Sequence, residues 1–218
     1  LQKLAKLSFS KDELDGFNKK LNSVVNDKAF DKDQIQHINT SIGKAATRIK
    51  TIVEHLREFS KEGPLDKDQM VDLKLNQLLV ELRDFYGGFI TKLKIDIKEN
   101  FNPEEIVIKG FKTPIEQVLL NIIHNAVDAV EKNEHKIIEL VTYAVEGYGG
   151  IEIIDNGPGI PAENCERIFD PFFTTKDIGK GVGLGLSLVR TYMHESQGII
   201  ELKSEPGKTV FILKFKRA

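Results

Sequence analysis

The sequence contains one cysteine, Cys165, no tryptophan and two methionines among 218 residues. A lone thiol excludes an internal disulfide framework and suits a reducing compartment. An excess of either charge is also missing: 31 Lys and Arg stand against 33 Asp and Glu, for a formal net charge of -2. No basic excess points to nucleic acid, and no polybasic run marks an anionic membrane. No apolar run approaches the roughly 18 residues a membrane span requires, and nothing resembles a signal peptide. Internal repeats and low-complexity tracts are absent too. Hydrophobic residues make up 40% of the chain, enough for one core of roughly 150 residues plus a smaller appended element. The chain opens at Leu1 in mid-helical pattern and is expected to be a fragment of a longer protein.

Two regions follow different periods. From Ile35, the apolar positions Ile38, Ile42, Ala45, Ile49, Ile52, Leu56 and Phe59 recur in steps of three and four, the seam of a helix that packs on other helices. A weaker seam runs through Leu7, Leu14, Phe17, Leu21 and Val24, and the polar stretch from Asn26 to Asp31 has the length of a turn. Residues 1–62 therefore predict an antiparallel helical hairpin. Its seams are covered either by a second copy, as a homodimeric four-helix bundle, or by the chain's own second domain. Gly63-Pro64 ends the second helix, and residues 63–68 read as a linker.

Residues 69–218 mix periods of two and of three to four. Strands are predicted at Met70–Leu73, Leu93–Ile97, Ile106–Ile108, Ile137–Tyr143, Gly150–Ile154, Ile199–Lys203 and Val210–Phe215. Helices are predicted at Asn76–Phe89, from Thr113 onward, and near Leu186–Ser196. Thr113 reads as the cap of the middle helix with Pro114 at its first position, and Ile115, Val118, Leu119, Ile122, Ile123, Ala126 and Val130 form its inner face. The fold class is α+β: a two-layer sandwich of one mixed sheet with helices on one face.

Four segments of this region carry candidate chemistry. On the middle helix, Asn121 and Asn125 are four apart and share a face. A neutral amide oxygen suits Mg²⁺ already held by triphosphate oxygens, although two Asn on a helix also suit a solvated role. Asp155-Asn156-Gly157-Pro158-Gly159-Ile160 follows a strand directly. Its carboxylate is placed to accept a hydrogen bond from an exocyclic amine such as that of adenine, and the glycines let the backbone approach a flat ring. An ordinary turn is the competing reading. Phe169-Asp170-Pro171-Phe172-Phe173 ends in Thr174-Thr175-Lys176, hydroxyls and a cation suited to phosphate. Gly179, Gly181, Gly183 and Gly185 alternate before a helix and expose N–H groups to an anion. No Gly-Lys-Ser/Thr follows them and no strand directly precedes them, which excludes a Walker loop and a dinucleotide fingerprint.

In this order the four segments resemble the N box, first glycine box, F box and second glycine box of the nucleotide-binding fold shared by histidine kinases, type II topoisomerases, ninety-kilodalton heat-shock chaperones and mismatch-repair ATPases. Ser204-Glu205-Pro206-Gly207-Lys208-Thr209 resembles the closing turn before the last strand. The F box and the hairpin point to the sensor histidine kinases. The resemblance implies ATP and Mg²⁺ as cofactors, with Asn125 as the metal ligand and Asn121 ordering the phosphates. It implies a nucleotide pocket made by Asp128, Asp155, Gly157, Gly159 and Ile160 on one side, with Asp155 recognising adenine. Phe172, Thr174, Thr175 and Lys176 would flank the phosphates, as would Gly181, Val182, Gly183, Leu184, Gly185 and Leu186, with Thr209 behind them. Residues Asp177 to Lys180 would form a lid. Asn121, Asn125 and Lys176 would be the catalytic set. The implied partners are a second copy through the hairpin and a response-regulator receiver domain, with no nucleic acid and no direct membrane contact. The implied location is cytoplasmic.

Two departures refine this expectation. Hydrolytic relatives carry a glutamate base one turn before the metal-binding Asn; here that position is Asn121, which cannot take a proton. The family's phosphoacceptor histidine, followed by an acidic residue and then Pro, has no counterpart among His37, His55, His124, His135 and His194. It is expected at or before Leu1. An ATP-dependent protein-histidine kinase is therefore the first expectation. An ATP-binding scaffold without its own acceptor is the alternative.

Overall fold

β-Branched and aromatic residues alternate along the second region, and strands form where they do. The structure is a computed structural model. It describes residues 36, 38, 40, 42–43, 69–176 and 183–218. The chain divides into two compact units, Leu1–Glu54 and His55–Ala218. In the first, residues 36, 38, 40, 42 and 43 are helical, and the Thr40 hydroxyl donates to the Gln36 carbonyl at 2.8 Å. Ile38 and Ile42, two of the predicted seam positions, are 42% and 46% exposed. The other expected seam positions, the expected turn at Asn26–Asp31 and the expected linker at 63–68 lie outside the described residues.

The second unit runs β1 (Val71–Lys74), α1 (Leu75–Leu93), β2 (Ile95–Asn100), β3 (Val107–Gly110), α2 (Lys112–Val130), β4 (Lys136–Val145), β5 (Tyr148–Asp155), α3 (Gly185–Glu195), β6 (Ile199–Glu205) and β7 (Lys208–Lys216). Single 3₁₀ turns at Ala162–Asn164 and Arg167–Phe169 lie between β5 and α3. Five strands form one mixed sheet in the order β2-β4-β5-β7-β6. The β2–β4 pair is parallel and the rest are antiparallel. Ile138 and Leu140 of β4, Ile151 and Ile153 of β5, and Phe211, Leu213 and Phe215 of β7 point into one core with the helices. Helix α2 contributes Ile115, Val118, Leu119, Ile122, Ile123, Ala126, Val127 and Val130, all buried. Truncating one of the large aliphatics, such as the fully buried Ile122, to Ala would cost about 2–5 kcal/mol.

Three local expectations are corrected. β1 and β3 do not enter the main sheet. They pair with each other as an antiparallel ribbon, joined to β7 by the Ile108–Arg217 bridge, because Leu73 and Ile108 anchor the ribbon in the core. β2 begins at Ile95 rather than Leu93, since α1 runs on to Leu93 and ends where Lys94 turns left-handed at φ 55. Thr113 does not cap α2. Phe111 holds that position without a side-chain cap bond, and Thr113 and Pro114 are the second and third helical residues. Proline fits there because first-turn amides lack intrahelical acceptors.

Helix α1 has no local cap either. The Asn76 N–H donates to Glu105 Oε1 at 3.0 Å, and the Leu75 N–H to the Ile106 carbonyl at 3.0 Å. Asn76 also accepts from the Thr142 hydroxyl at 2.6 Å and donates to the Asn102 carbonyl at 3.0 Å. Residues distant in sequence thus satisfy the helix start and pin it to β4.

Candidate functional site

Helix α2 carries a polar row along an otherwise apolar surface. Asn121, Asn125 and Ala129 are four apart and share one side, flanked by Asp128. At 1.5 Å per residue, Asn121 and Ala129 lie about 12 Å apart along the axis.

The Ala129 end meets the end of β5. The Asp155 side chain sits there 3% exposed, and its Oδ1 accepts the Gly157 N–H at 2.8 Å. Burial raises this carboxyl from its ordinary value of 3.8 to about 6, with the Gly157 hydrogen bond opposing. Thr209 of β7 faces Asp155 in register and is also 3% exposed. Its hydroxyl lies 3.3 Å from Ser204 Oγ, which accepts the Ile160 N–H at 2.8 Å. A Cβ on Gly157 would lie 2.7 Å from Ala129 Cβ, so the turn abuts α2 with no room to spare. Gly159 adopts φ 82, and a side chain there would run into the Glu205 carbonyl, so only glycine suits the position.

Asn156 holds this turn, a role beyond the local one its Asp-Asn-Gly setting suggests. Its Oδ1 accepts the Ile137 N–H at 3.0 Å, and its Nδ2 donates to the His135 carbonyl at 2.8 Å. Asn133 Nδ2 donates to the Asn156 carbonyl at 2.6 Å. Asn133 carries no motif signal, and only the turn's proximity reveals it.

Between Asn121 and Ala129 the row is charged. Lys176 Nζ donates to Asn125 Oδ1 at 3.2 Å and to the Asp128 carboxylate. His124 Nδ1 lies 3.5 Å from the same Asp128 oxygen. Asn121 donates through Nδ2 to the Gln117 carbonyl at 3.0 Å, and its Oδ1 faces Gly185, the first residue of α3; a Cβ there would lie 2.9 Å away. The Phe172 N–H donates to the Gly183 carbonyl at 2.8 Å. Gly183 has φ 73 and lies so close that its Cβ would come within 2.5 Å of the Phe173 carbonyl. Leu184 is buried and Leu186 half-buried, whereas Phe172, Thr174 and Thr175 are exposed. Thr174 Oγ1 accepts the Lys176 N–H at 3.2 Å. The Arg167 guanidinium stacks 4.6 Å over the Phe173 ring, a contact the F-box pattern alone does not announce.

The structure thus brings Asn125, Asp128 and Lys176 into one cluster, sets Asn121 against Gly185, and gathers Asp155, Gly157, Gly159, Ile160 and Thr209 where Ala129 meets β5. Gly181, Val182 and the expected lid, Asp177 to Lys180, lie outside the described residues. Among the described residues no group of three or more His, Cys, Asp or Glu is placed to hold a metal. A divalent cation at Asn125 would therefore need ligands brought by its own counter-ion, as polyphosphate oxygens are. The donor set fits such an ion: Asn125 Oδ1 already bears a cation, the Lys176 ammonium. The glycine turn beside a buried carboxyl fits a flat heterocycle with an amino group.

A two-layer α+β domain with a buried carboxyl and an amide–ammonium–carboxylate cluster along one helix is, as a class, a nucleotide-binding domain. Residues 110–218 match the family described as histidine kinase-, DNA gyrase B- and HSP90-like ATPases. The chain belongs to this family, as an ATP-binding catalytic domain of the sensor histidine kinase type. It is 30% identical over 183 residues to the C4-dicarboxylate transport sensor protein DctB of Rhizobium meliloti (strain 1021), covering 82% of this chain and 28% of DctB. The chain therefore spans under a third of that relative's length. The solved catalytic domain of histidine kinase ThkA is 32% identical with a TM-score of 0.62, covering 68% of this chain and 95% of that one. ThkA solved in complex with response regulator protein TrrA is 28% identical with a TM-score of 0.73, over 93% of this chain and 56% of that one.

Proposed function

We propose that this chain is the catalytic part of a protein-histidine kinase in a two-component system. On this reading it holds ATP with Mg²⁺, and the γ-phosphoryl group passes to a histidine for relay to a response-regulator aspartate. The observation that carries the proposal is the polar face of α2, with the buried Asp155 carboxyl where Ala129 meets β5 and an amide–ammonium–carboxylate cluster beside it at Asn125 and Asp128.

Asp155 accepts from the adenine amino group, and the tight Gly157–Gly159 turn, packed on α2 and on Glu205, fixes the backbone beside the ring together with Ile160 and Thr209. Asn125 offers its amide oxygen to the metal, whose chemistry is to neutralise phosphate charge and to orient the transferring group. Lys176, with the hydroxyls of Thr174 and Thr175, supplies further positive charge and donors toward the phosphates. Asn121 stands one turn before Asn125 and cannot take a proton from water, which suits a site that keeps its phosphoryl group for a delivered nucleophile. Gly185 begins α3, and a helix N-terminus favours an anion.

The proposed organisation is a hairpin over residues 1–62, a linker over 63–68 and a catalytic domain over 69–218. The exposure of Ile38 and Ile42 supports coverage of the hairpin by a second copy. The likeness to ThkA, solved with a response regulator, supports a receiver domain as partner. A cytoplasmic site of action fits the proposal, and no described helix is long and apolar enough to cross a membrane.

The test is incubation of the chain with γ-labelled ATP and Mg²⁺, followed by acid and base treatment of any label. Bound ATP without label is the expected outcome, with the acceptor histidine outside the chain. An acid-labile, base-stable label would place the acceptor within residues 1–218, against that expectation. Absence of ATP binding would sink the proposal.

A further inference from the structure

Lys176 does more than a phosphate contact requires. Its ammonium sits on the amide oxygen of Asn125 at 3.2 Å and on the carboxylate of Asp128. The side chains of Lys176 and Asp128 are each 34% exposed, so both charges are partly withdrawn from water and their attraction is only partly screened. Asn125 Oδ1 is also the oxygen assigned above to the metal, and the inference rests on that assignment. A divalent ion and an ammonium that share one carbonyl oxygen lie a few ångströms apart and repel strongly at any protein dielectric. The two cations exclude one another.

We infer that Asn125 Oδ1 is a shared cation site, taken in turn by the Lys176 ammonium and by the metal, and that Asp128 is the positioning residue that holds the ammonium there. No covalent step is involved; one cation replaces another. Metal entry turns Lys176 away from α2 and frees a positive charge beside the same helix face, where an anion brought with the metal can take it. Asp128 keeps a neighbour in His124 Nδ1 at 3.5 Å. The strength of its hold on Lys176 sets how much Mg²⁺ is needed to make the exchange. Asp128 as a metal ligand in its own right is the competing role, and it predicts the opposite response to losing the carboxylate.

Two measurements on the 218-residue chain decide between them. The first uses protein without nucleotide and follows the side-chain amide resonances of Asn125 by ¹⁵N NMR. Lys176→Met and Asp128→Asn are both expected to move those resonances, and Asp128→Glu to leave them near their original position. Resonances that stay put in both of the first two variants would overturn the inference, whether or not the chain binds nucleotide.

The second titrates Mg²⁺ into the chain with ADP by calorimetry. Asp128→Asn is expected to lower the Mg²⁺ concentration at half effect by about tenfold, the fold-change of a lost charge-assisted hydrogen bond. Asp128→Glu should restore part of the original requirement. A rise of similar size would make Asp128 a metal ligand and overturn the inference, and so would no change. A chain that binds no ADP at any Mg²⁺ concentration would remove the nucleotide reading and the exchange with it. Asn125 resonances that still moved would then leave Asp128's hold on Lys176 standing alone.

Discussion

Two parts of the α2 site are held in place by different forces. At the β5 end, Asp155 is buried, the turn is fixed by hydrogen bonds through Asn156, Asn133 and Asp155, and a side chain on Gly157 would run into a methyl group of α2. At Lys176, a long, partly exposed ammonium contacts a neutral amide and a partly exposed carboxylate. The first part is rigid, and its burial of a carboxyl costs stability. The second is cheap to rearrange. A site that must recognise one base but admit and release a charged, metal-bearing tail needs that asymmetry.

The largest effect expected from breaking the contrast is at Asp155. Asp155→Asn should weaken adenine nucleotides by about a hundredfold, as loss of a hydrogen bond to a buried charge does, and guanine nucleotides far less. Equal loss of both in calorimetry would make Asp155 structural. The same variant tests the stability cost. The folded-state value near 6 lies above the ordinary 3.8, so the native protein favours the protonated acid. Asp155 therefore lowers stability progressively as pH rises from about 4 through 6. Thermal melts without nucleotide should show the Asn variant more stable than the parent at pH 7, by about 3 kcal/mol, and the two converging near pH 4. A gap independent of pH would contradict the burial account.

Beside Lys176, Asn125→Ala should remove the whole Mg²⁺-dependent gain in nucleotide affinity and leave the Mg²⁺-independent part. Its melting midpoint should move by no more than a few degrees, since the residue is only half-buried. Unchanged Mg²⁺-ATP affinity would take the metal away from Asn125.

The smallest effects compare two glycines directly. A Cβ on Gly157 meets the fixed Ala129 methyl at 2.7 Å, and one on Gly185 meets the amide oxygen of Asn121 at 2.9 Å. A methyl cannot step aside, whereas an amide can turn. Gly157→Ala should therefore cost about 1–3 kcal/mol in stability, and Gly185→Ala less than about 1 kcal/mol. Equal costs in thermal melts would mean the two ends are equally rigid.

Much of this was legible in the residues. The inner face of α2 stood out because eight of its positions are buried against one core, and complete burial of a stripe forces apolar choices at helical spacing. Asp155 stood out only through its company: an Asp-Asn-Gly turn alone is a common loop sequence, and the order of the four segments is what marked it. The pairing of β1 with β3 was not legible, because two four-residue strands carry too few positions to specify a partner. The misplaced cap at Thr113 has a similar cause. A capping rule reads only neighbouring residues, whereas the start of α1, for example, is satisfied by Glu105 and Ile106 from beyond the next strand.

The sequence by itself determined the fold class, the course of α2 and the residue types along its polar row, since periodicity and local turn chemistry act between neighbours in the chain. Only the tertiary structure decided that Lys176 lies on Asn125 and Asp128, 51 and 48 residues away, and that Asn156 rather than the glycines alone holds the turn beneath Asp155. Such contacts depend on which surfaces the packed core brings face to face, and no local pattern of residues records that.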